Sequence, residues 1–291
     1  MKQQLLQCLL KFKNRRIMPE MPEVTTVVRS LQPKIVGSKI LKVLIYKEKL
    51  IKDIDAEDFK LSIENRQIKN IFNVGKHIII ALEGDIFILN HLRMSGKYSF
   101  YQKWHEPTLH DHVVFELSNG FLYFNDARAF ATFHLKSADK LYSTSPLNKL
   151  GKVPFETDID WLYKKIAKKS SPIKNILLDQ SLVLGIGNIY ANESLFECSL
   201  HPNTPANFLT KNQLNNLIQT AGKIMDIATQ MGGSSIQSYS SLNGQKGSYQ
   251  NLLKVHGKNG QKCLKCSDSI QKIWVGGRGS YFCPSCQQET K

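Results

Sequence analysis

Four of the six cysteines stand near the C-terminus as two Cys-x-x-Cys pairs, Cys263/Cys266 and Cys283/Cys286, with sixteen residues between them. Pairs at this spacing are typical of zinc ribbons, in which four thiolates hold one tetrahedral Zn²⁺. A complete shell of four sulfurs leaves no coordination position open, so the predicted zinc is structural and not catalytic. Because a unit of this size buries little apolar surface, we expect the metal to supply its stability.

The segment between the two pairs predicts a β-hairpin whose tip reads Gly276-Gly277-Arg278-Gly279. Glycines allow the backbone to approach a ligand closely, and here they flank a single cation. The pattern favours a phosphate contact for Arg278; the alternative is a solvated turn residue.

The net charge also favours a nucleic-acid partner. The chain has 39 Lys and Arg against 24 Asp and Glu, a formal charge of +15. A polyanion is the partner that such a surplus suits, and nucleic acid fits better than an acidic membrane surface. No apolar run approaches the roughly 18 residues that span a bilayer, so no membrane segment is expected.

The hydrophobic pattern changes along the chain and predicts an α+β fold. Residues 22–32 have apolar positions at helical spacing, and 35–136 give short β-rich runs separated by turns, as in an antiparallel sandwich or barrel. Residues 160–230 are helical in pattern, and strand-like pieces return around the cysteines. A stretch with Ser, Pro and Gly at 143–157 predicts a linker.

Several motifs together resemble the formamidopyrimidine-DNA glycosylase family, from Met18 to about Gln287. The motifs are MPEMPEV (18–24), HLRMSG (91–96), HDH (110–112), LLDQSLVLGIGNIYANESLF (177–196) and the ribbon cysteines. Their agreement in order and spacing is far more specific than any one short pattern. The resemblance implies an N-terminal antiparallel β-sandwich with an N-terminal helix, a helix–two-turn–helix domain and a C-terminal zinc ribbon.

The predicted divisions combine the patterns with this resemblance. They are an extension at 1–18 that is absent from the active protein, a catalytic sandwich domain at 19–142, a linker at 143–157, a helical DNA-binding domain at 158–250 and a ribbon at 251–291.

The resemblance also implies an activity. The family removes oxidised purines, such as 8-oxoguanine and formamidopyrimidines, and then cleaves the DNA backbone on both sides of the emptied sugar by β,δ-elimination. The implied partner is double-stranded DNA with oxidised bases or abasic sites, bound in the cleft between domains. The structural zinc is the one metal, no diffusible cofactor takes part, and we expect a monomer in the bacterial cytoplasm, associated with the nucleoid.

The resemblance places the nucleophile at Pro19. An α-amino group with a pKa near 7.7–8.0 is substantially neutral at working pH, whereas a lysine amine near 10.4 is not. Attack on the sugar C1′ gives an iminium, a Schiff base, that acidifies the C2′ proton and drives elimination of phosphate. Glu20 matches the acid/base carboxylate and Glu23 the acid that steadies the N-terminus. From the residues alone, Pro19 is a helix-starting proline and both acids are first-turn carboxylates.

Further residues are carried over from the family. Lys76 and Arg278 complete the implied catalytic set with Pro19 and Glu20. Lys174 is expected near the lesion phosphates, while His110 and Asn188 are expected to bind DNA. Asn188 follows a glycine-opened helix start, where backbone amides can bind phosphate. Without the resemblance, Lys76 is an ordinary exposed lysine at a strand end.

Met94, Arg128 and Phe130 match the wedge that fills the gap left by an extruded base. Met and Phe are ordinary core residues without the family context. The chain departs from the family here, because Ala129 lacks the second cation of the usual Asp-Pro-Arg-Arg-Phe-Gly motif and Arg93 replaces a usual glycine. Changes in this region bear on opposite-base preference and turnover.

The extension conflicts with the chemistry, because Pro19 has no free amine while residue 18 is attached. We favour Met18 as the true start, since it stands directly before the family's first residue; removal of 1–18 by processing is the alternative. Residues 1–17 are basic without an acidic residue, so an organelle presequence stays open.

Two other functions stay open. If the extension is retained, the chain is a non-catalytic protein that binds damaged DNA. The second alternative keeps the lyase but takes oxidised pyrimidines, as in the related endonuclease VIII branch. Met21-Pro22 and the Gly/Ser-rich segment 231–249, which resembles a lesion-capping loop, favour purines.

Overall fold

The computed structural model describes residues 19–235 and 242–289. The predicted extension at 1–18 and residues 236–241 of the Gly/Ser-rich segment lie outside the described residues. The strands are β1 (Ile40–Ile45), β2 (Ile51–Lys52), β3 (Ile68–Val74), β4 (His77–Leu82), β5 (Ile86–His91), β6 (Gly96–Tyr101), β7 (Asp111–Leu117), β8 (Gly120–Asp126), β9 (Thr132–Ser137), β10 (Gln271–Val275) and β11 (Arg278–Phe282). The helices are α1 (Met21–Ile35), α2 (Ala56–Ile63), α3 (Ala138–Leu141), α4 (Ile159–Ile166), α5 (Ile173–Leu178), α6 (Asn188–Glu197) and α7 (Lys211–Gln230).

Strands β1 to β9 form the predicted sandwich. One antiparallel sheet has the order β1-β7-β8-β6, and the other has the order β2-β9-β5-β4-β3. The short β2 pairs with β9 in parallel, a departure from the expected antiparallel pattern. Along β4, Ile78 and Ile80 lie in the core between the sheets, whereas Ile79 packs with Leu89 and Leu141 on the opposite face. The alternation therefore buries both faces of this sheet.

Helix α1 joins the sandwich to the helical domain and confirms the helix predicted over 22–32. Pro22 lies in its first turn, where an N–H has no intrahelical partner, and Glu20 and Glu23 form a capping box. Val24, Val27 and Leu31 are buried at helical spacing. Because α1 contacts β3, β4 and α7, the N-terminal end of the described chain is held against both domains.

Helices α4 to α7 share a second apolar core, which includes Leu162, Ile176 and Leu217. The segment predicted as a linker packs against this domain, since Gly151 N donates to Gln180 O at 2.8 Å. None of the helices in the described ranges has the length and apolar character needed to cross a membrane.

Asn243 forms another link between the two domains. Its Oδ1 accepts a hydrogen bond from Phe100 N at 2.8 Å, and its Nδ2 donates to Phe100 O at 3.0 Å. Strand β6 is at the edge of its sheet, so the Asn243 amide takes the place of a neighbouring strand. The preceding Leu242 is buried in the sandwich core.

Candidate active site

The Glu20 side chain reaches from the start of α1 to the N-terminus of α6. Its Oε1 accepts a hydrogen bond from Ile189 N at 2.8 Å, and its Oε2 accepts one from Tyr190 N at 3.4 Å. Gly187 makes this approach possible, because a Cβ there would lie 2.1 Å from Glu20 Cδ. Free N–H groups at a helix start favour a carboxylate. The backbone N–H groups after Asn188, which we expected to bind phosphate, therefore donate their hydrogen bonds to Glu20 instead.

Burial moves the pKa values of Glu20 and Lys76 towards each other. Burial raises the pKa of Glu20 to about 7, although the Lys76 ammonium and the two N–H donors act in the opposite direction. Burial also lowers the pKa of Lys76, an effect that the Glu20 carboxylate opposes and the Arg278 charge reinforces. A carboxyl group that is partly protonated near neutral pH is suited to general acid catalysis.

Lys76 lies in the turn between β3 and β4, next to Gly75 with its positive φ of 56°. Its side chain is buried, and its ammonium donates to Ile186 O at 3.0 Å across the domain boundary. The alternative of an exposed strand-end lysine is therefore wrong.

Glu23 ties three parts of the chain together. One carboxylate oxygen accepts from Glu20 N at 2.9 Å, and the other accepts from the Tyr190 hydroxyl at 2.5 Å and from Ser234 N at 2.7 Å. Glu23 is buried, and burial raises its pKa. These bonds fix the start of α1, next to Pro19, against α6 and the segment that follows α7.

Lys174 and Asn188 hold the hairpin of β10 and β11. The buried Lys174 ammonium donates to Gly279 O at 3.1 Å and to Ser280 Oγ at 2.6 Å. Asn188 Nδ2 donates to the same Gly279 oxygen at 3.1 Å. Burial, with the nearby Arg278 charge, lowers the pKa of Lys174 to about 7. The direct contacts of Lys174 are thus with the hairpin, and its expected role at the lesion phosphates stays a prediction.

The structure brings the three predicted wedge residues together. Arg128 Nη1 donates to Met94 Sδ at 2.8 Å, and the Arg128 guanidinium lies 4.7 Å from the centre of the Phe130 ring. Phe130 is 53% exposed, so it is not the core residue that its side chain alone suggests.

Asp126 holds the two loops that carry the wedge residues Met94, Arg128 and Phe130, and its role was not predicted from the sequence. Its carboxylate accepts hydrogen bonds from the backbone N–H groups of Arg128, Phe130 and Ala131, and from the Ser95 hydroxyl. Asp126 is fully buried. The signal in the sequence was its place at the end of β8, one residue before a loop of small and cationic residues, but such an acid is equally typical of an ordinary turn.

The four ribbon cysteines are arranged as a metal site. Their sulfur atoms all lie within 4.8 Å of one another. Tetrahedral Zn²⁺ with bonds of about 2.3 Å places its sulfur ligands about 3.8 Å apart, so the cluster fits zinc. Two of the cysteines, Cys263 and Cys283, also belong to a small apolar core with Phe196, Val255 and Ile270.

Comparison with known proteins follows the same division of the chain. Residues 18–133 match the formamidopyrimidine-DNA glycosylase N-terminal domain, 150–240 match the H2TH domain of that protein, and 260–288 match a zinc finger found in FPG and IleRS. The formamidopyrimidine-DNA glycosylase of Mycoplasmopsis pulmonis is 45% identical over 274 residues, which cover 94% of this chain and 99% of the relative. The chain belongs to the formamidopyrimidine-DNA glycosylase family. The Mycoplasma mobile relative is 43% identical and covers 93% of this chain and 99% of its own.

A solved formamidopyrimidine-DNA glycosylase gives the same fold. The Lactococcus lactis enzyme in complex with DNA containing an abasic site is 37% identical, with a TM-score of 0.88, and covers 93% of this chain and 100% of its own. The α+β class, the sandwich, the helical domain and the ribbon are thereby confirmed. The zinc finger match and the cysteine cluster establish one structural zinc in the ribbon.

The two departures from the family motif share a backbone conformation. Arg93 has a φ of 52° and Ala129 a φ of 50°, in the left-handed region that glycine adopts without strain. At Arg93 the backbone N–H donates to His91 Nδ1 at 3.0 Å, which holds the turn that leads to Met94. Glycine, the residue that the resemblance leads us to expect at position 93, would suit the positive φ of this turn. The exposed His110 lies directly before β7, and its carbonyl accepts from Asp126 N at 2.9 Å.

Proposed function

We propose that the chain excises oxidised purines from double-stranded DNA and nicks the backbone through a Schiff base on Pro19. The arrangement of Glu20 carries the proposal, because the residue after the candidate nucleophile is a buried acid that α6 holds by two backbone N–H groups and whose carboxylate interacts with the charge of Lys76. Membership of the family makes the chain a DNA glycosylase of base excision repair. We propose that residues 19–142 form the catalytic domain, residues 158–250 the DNA-binding domain and residues 251–291 the zinc ribbon. We also propose that the protein acts as a monomer on the bacterial nucleoid.

The residues have distinct roles in this mechanism. The Pro19 amine attacks C1′ as the bond to the damaged base breaks, and the resulting iminium activates the C2′ proton for loss of the 3′ phosphate and then the 5′ phosphate. Protonated Glu20 delivers a proton to the opening sugar. Lys76 and Arg278 neutralise phosphate charge in the cleft. Met94, Arg128 and Phe130 fill the gap in the base stack.

Borohydride trapping tests the nucleophile. A protein that starts at Met18, with that methionine removed, is expected to form a covalent adduct with an 8-oxoguanine duplex, and peptide mapping should place it on Pro19. The matched control is the chain with residues 1–18 attached, in which the Pro19 nitrogen is an amide and no adduct forms. Equal trapping of the two proteins would rule out Pro19. Binding of lesion DNA by both without any adduct would favour the non-catalytic alternative.

Oxidised pyrimidines are the competing class of substrate, and the structure of one relative supports them. A Lactococcus lactis relative, 36% identical, has been solved with DNA containing an oxidised pyrimidine. A panel of duplexes with 8-oxoguanine, a formamidopyrimidine or thymine glycol separates the two. We expect the highest single-turnover rate on the purine lesions, and faster excision of thymine glycol would overturn this choice.

The rate of base excision is expected to follow a bell-shaped pH profile with its maximum between about pH 7 and 8. The amine must lose its proton, which raises the rate up to its pKa near 7.7–8.0. Glu20 must keep its proton, and its pKa of about 7 makes the rate fall above that pH. Single-turnover measurements on E20Q should show a rate about 100-fold lower or more and no alkaline decline. An alkaline decline that persists in E20Q would assign it to another group.

A further inference from the structure

Gln180 closes the loop of residues 179–187 between α5 and α6, which we call the connecting loop. Its Nε2 donates to Leu178 O at 3.0 Å, at the end of α5, and to Ile186 O at 2.9 Å, shortly before α6. Its Oε1 accepts a hydrogen bond from Gly185 N at 3.0 Å. The whole amide group is therefore bonded to the backbone on the two sides of the loop.

Gly185 is a residue of the connecting loop that needs such a bond. It has a φ of 93°, in the left-handed region, and no side chain of its own restrains it. It lies at the candidate active site, because the side chain of Met21, two residues after Pro19, packs on it. A Cβ at Gly185 would be 2.7 Å from Met21 Sδ. Gln180 thus restrains a backbone that would otherwise rotate more freely beside the start of α1.

Ile186 O is shared between Gln180 and Lys76. The Lys76 ammonium donates to this oxygen at 3.0 Å, and Gln180 Nε2 donates to it at 2.9 Å. Lys76 and Ile186 are both buried, so the ammonium and the carbonyl satisfy each other away from water. The turn before Lys76 also meets the loop, because a Cβ at Gly75 would lie 2.5 Å from Leu184 Cδ1. A displacement of the end of the connecting loop is therefore passed directly to Lys76.

The rest of the connecting loop has other support. Leu184 N donates to Lys152 O at 2.8 Å, and the Ser181 N–H and hydroxyl both donate to Asp179 Oδ1, at 3.0 and 2.6 Å. None of these bonds involves the two residues of the loop that Gln180 holds. We therefore expect loss of the Gln180 amide to loosen those two residues while the rest of the loop stays in place.

We propose that Gln180 is a positioning residue for Lys76. It fixes the Ile186 carbonyl, which takes one of the three protons of the Lys76 ammonium and leaves the other two for acceptors in the cleft. The inference rests on the proposed function, in which one of those acceptors is a DNA phosphate. Gln180 acts through the carbonyl oxygen and the Gly185 peptide, and it makes no contact with the substrate itself.

Replacement of Gln180 by methionine tests this role, because methionine has a similar length and makes none of the three hydrogen bonds. In the Met18-start protein, Q180M is expected to excise 8-oxoguanine about tenfold more slowly or worse in single-turnover measurements. For a duplex with a tetrahydrofuran abasic analogue, the logarithmic salt slope of binding should fall by about one, as it should in K76M. Q180M removes no charge, so a lower slope reports a lysine that no longer reaches its phosphate.

The double variant Q180M/K76M separates an action through Lys76 from an action elsewhere. If Gln180 places Lys76, the double variant should have the salt slope of K76M, because both changes remove one phosphate contact. A further fall of about one would show that Gln180 serves another cation, and it would overturn the proposal.

Two more variants sharpen the test. Q180E keeps an acceptor for Gly185 N, but its carboxylate cannot donate to Ile186 O, so we expect it to be as slow as Q180M. S181A is the matched control: it removes an exposed hydroxyl from the same loop and should keep the rate and slope of the parent protein. Melting temperature and zinc content show that each variant is folded.

Parent-like rate and salt slope in folded Q180M, or a parent-like rate in Q180E, would overturn the role of Gln180. The binding measurements need no free Pro19 amine. Failure of borohydride trapping would remove the Pro19 mechanism and leave the salt slopes unaffected, so the two failures are distinguishable.

Discussion

Alanine at position 187 is expected to slow base excision by about 100-fold or more while the protein keeps its zinc. The backbone of Gly187 has φ −123° and ψ −164°, extended values that any residue adopts, so the substitution carries no conformational strain. The obstacle is space. A Cβ at this position would lie 2.1 Å from Cδ, 2.4 Å from Cγ and 2.5 Å from Oε1 of Glu20.

The methyl group must displace the carboxyl group. Glu20 would then leave the N–H of Ile189, which now donates to it at 2.8 Å, and its interaction with the Lys76 charge would change. Positioned general acids contribute about 10²–10⁴-fold to rate, and a misplaced acid forfeits much of that. We also expect some loss of stability, about 1–3 kcal/mol, as in other overpacked sites.

Single-turnover excision of 8-oxoguanine by the Met18-start protein measures the effect, with E20Q and the double variant G187A/E20Q beside G187A. If alanine acts through Glu20, the double variant should be no slower than E20Q, because the two changes remove one interaction. Circular dichroism and zinc content report whether the fold is retained. Additive losses in the double variant would show that Gly187 is needed for something other than placing Glu20.

The elements that could be predicted from sequence are those specified by short-range chemistry. Patterns that extend over only a few residues predicted these elements. They are the Cys-x-x-Cys pairs, the glycines of the hairpin tip and the helical spacing of Val24, Val27 and Leu31. The family motifs then predicted Glu20, Lys76 and Arg278 as site residues. In the structure, the charges of Glu20 and Arg278 both act on Lys76.

Contacts between distant residues could not be predicted in this way. Glu20 meets Ile189 across 169 positions, and Lys174 meets Gly279 across 105. The charge of Lys174 suggested phosphate, yet its ammonium is bonded within the protein, because a buried cation needs acceptors wherever the fold supplies them. Asp126 escaped notice since its partners are backbone N–H groups, which every sequence contains and no pattern marks.

Removal of zinc is expected to abolish specific DNA binding while the other two domains stay folded. The apolar core of the ribbon consists of Phe196, Val255, Cys263, Ile270 and Cys283, and two of these are metal ligands. So little buried surface leaves the metal as the main source of stability, and structural Zn²⁺ contributes about 10–16 kcal/mol in comparable small units. The sandwich and the helical domain have separate, larger cores.

Loss of the ribbon acts on the cleft through the hairpin. Without the hairpin, Arg278 loses its fixed position, and Lys174 and Asn188 lose the Gly279 carbonyl that both now contact. The hairpin supplies both acceptors of the buried Lys174 ammonium, so its unfolding exposes this group and relieves the burial that lowers the pKa of Lys174 to about 7 in the folded protein. The cleft thus loses the fixed position of one proposed phosphate ligand, Arg278, and the contacts that hold Lys174 and Asn188 in place.

Chelation of the full holoprotein with 1,10-phenanthroline measures both effects. We expect affinity for a lesion duplex to fall at least 100-fold, with most of the far-ultraviolet circular dichroism retained and binding restored when Zn²⁺ is returned. C198S is the matched control, since Cys198 lies outside the four-cysteine cluster, and it should keep its zinc and its affinity. Zinc-free protein that binds the duplex as tightly as the holoprotein would mean that the hairpin is positioned by Lys174 and Asn188 alone. The predicted result requires instead that these two side chains act only on a hairpin that the metal has already folded.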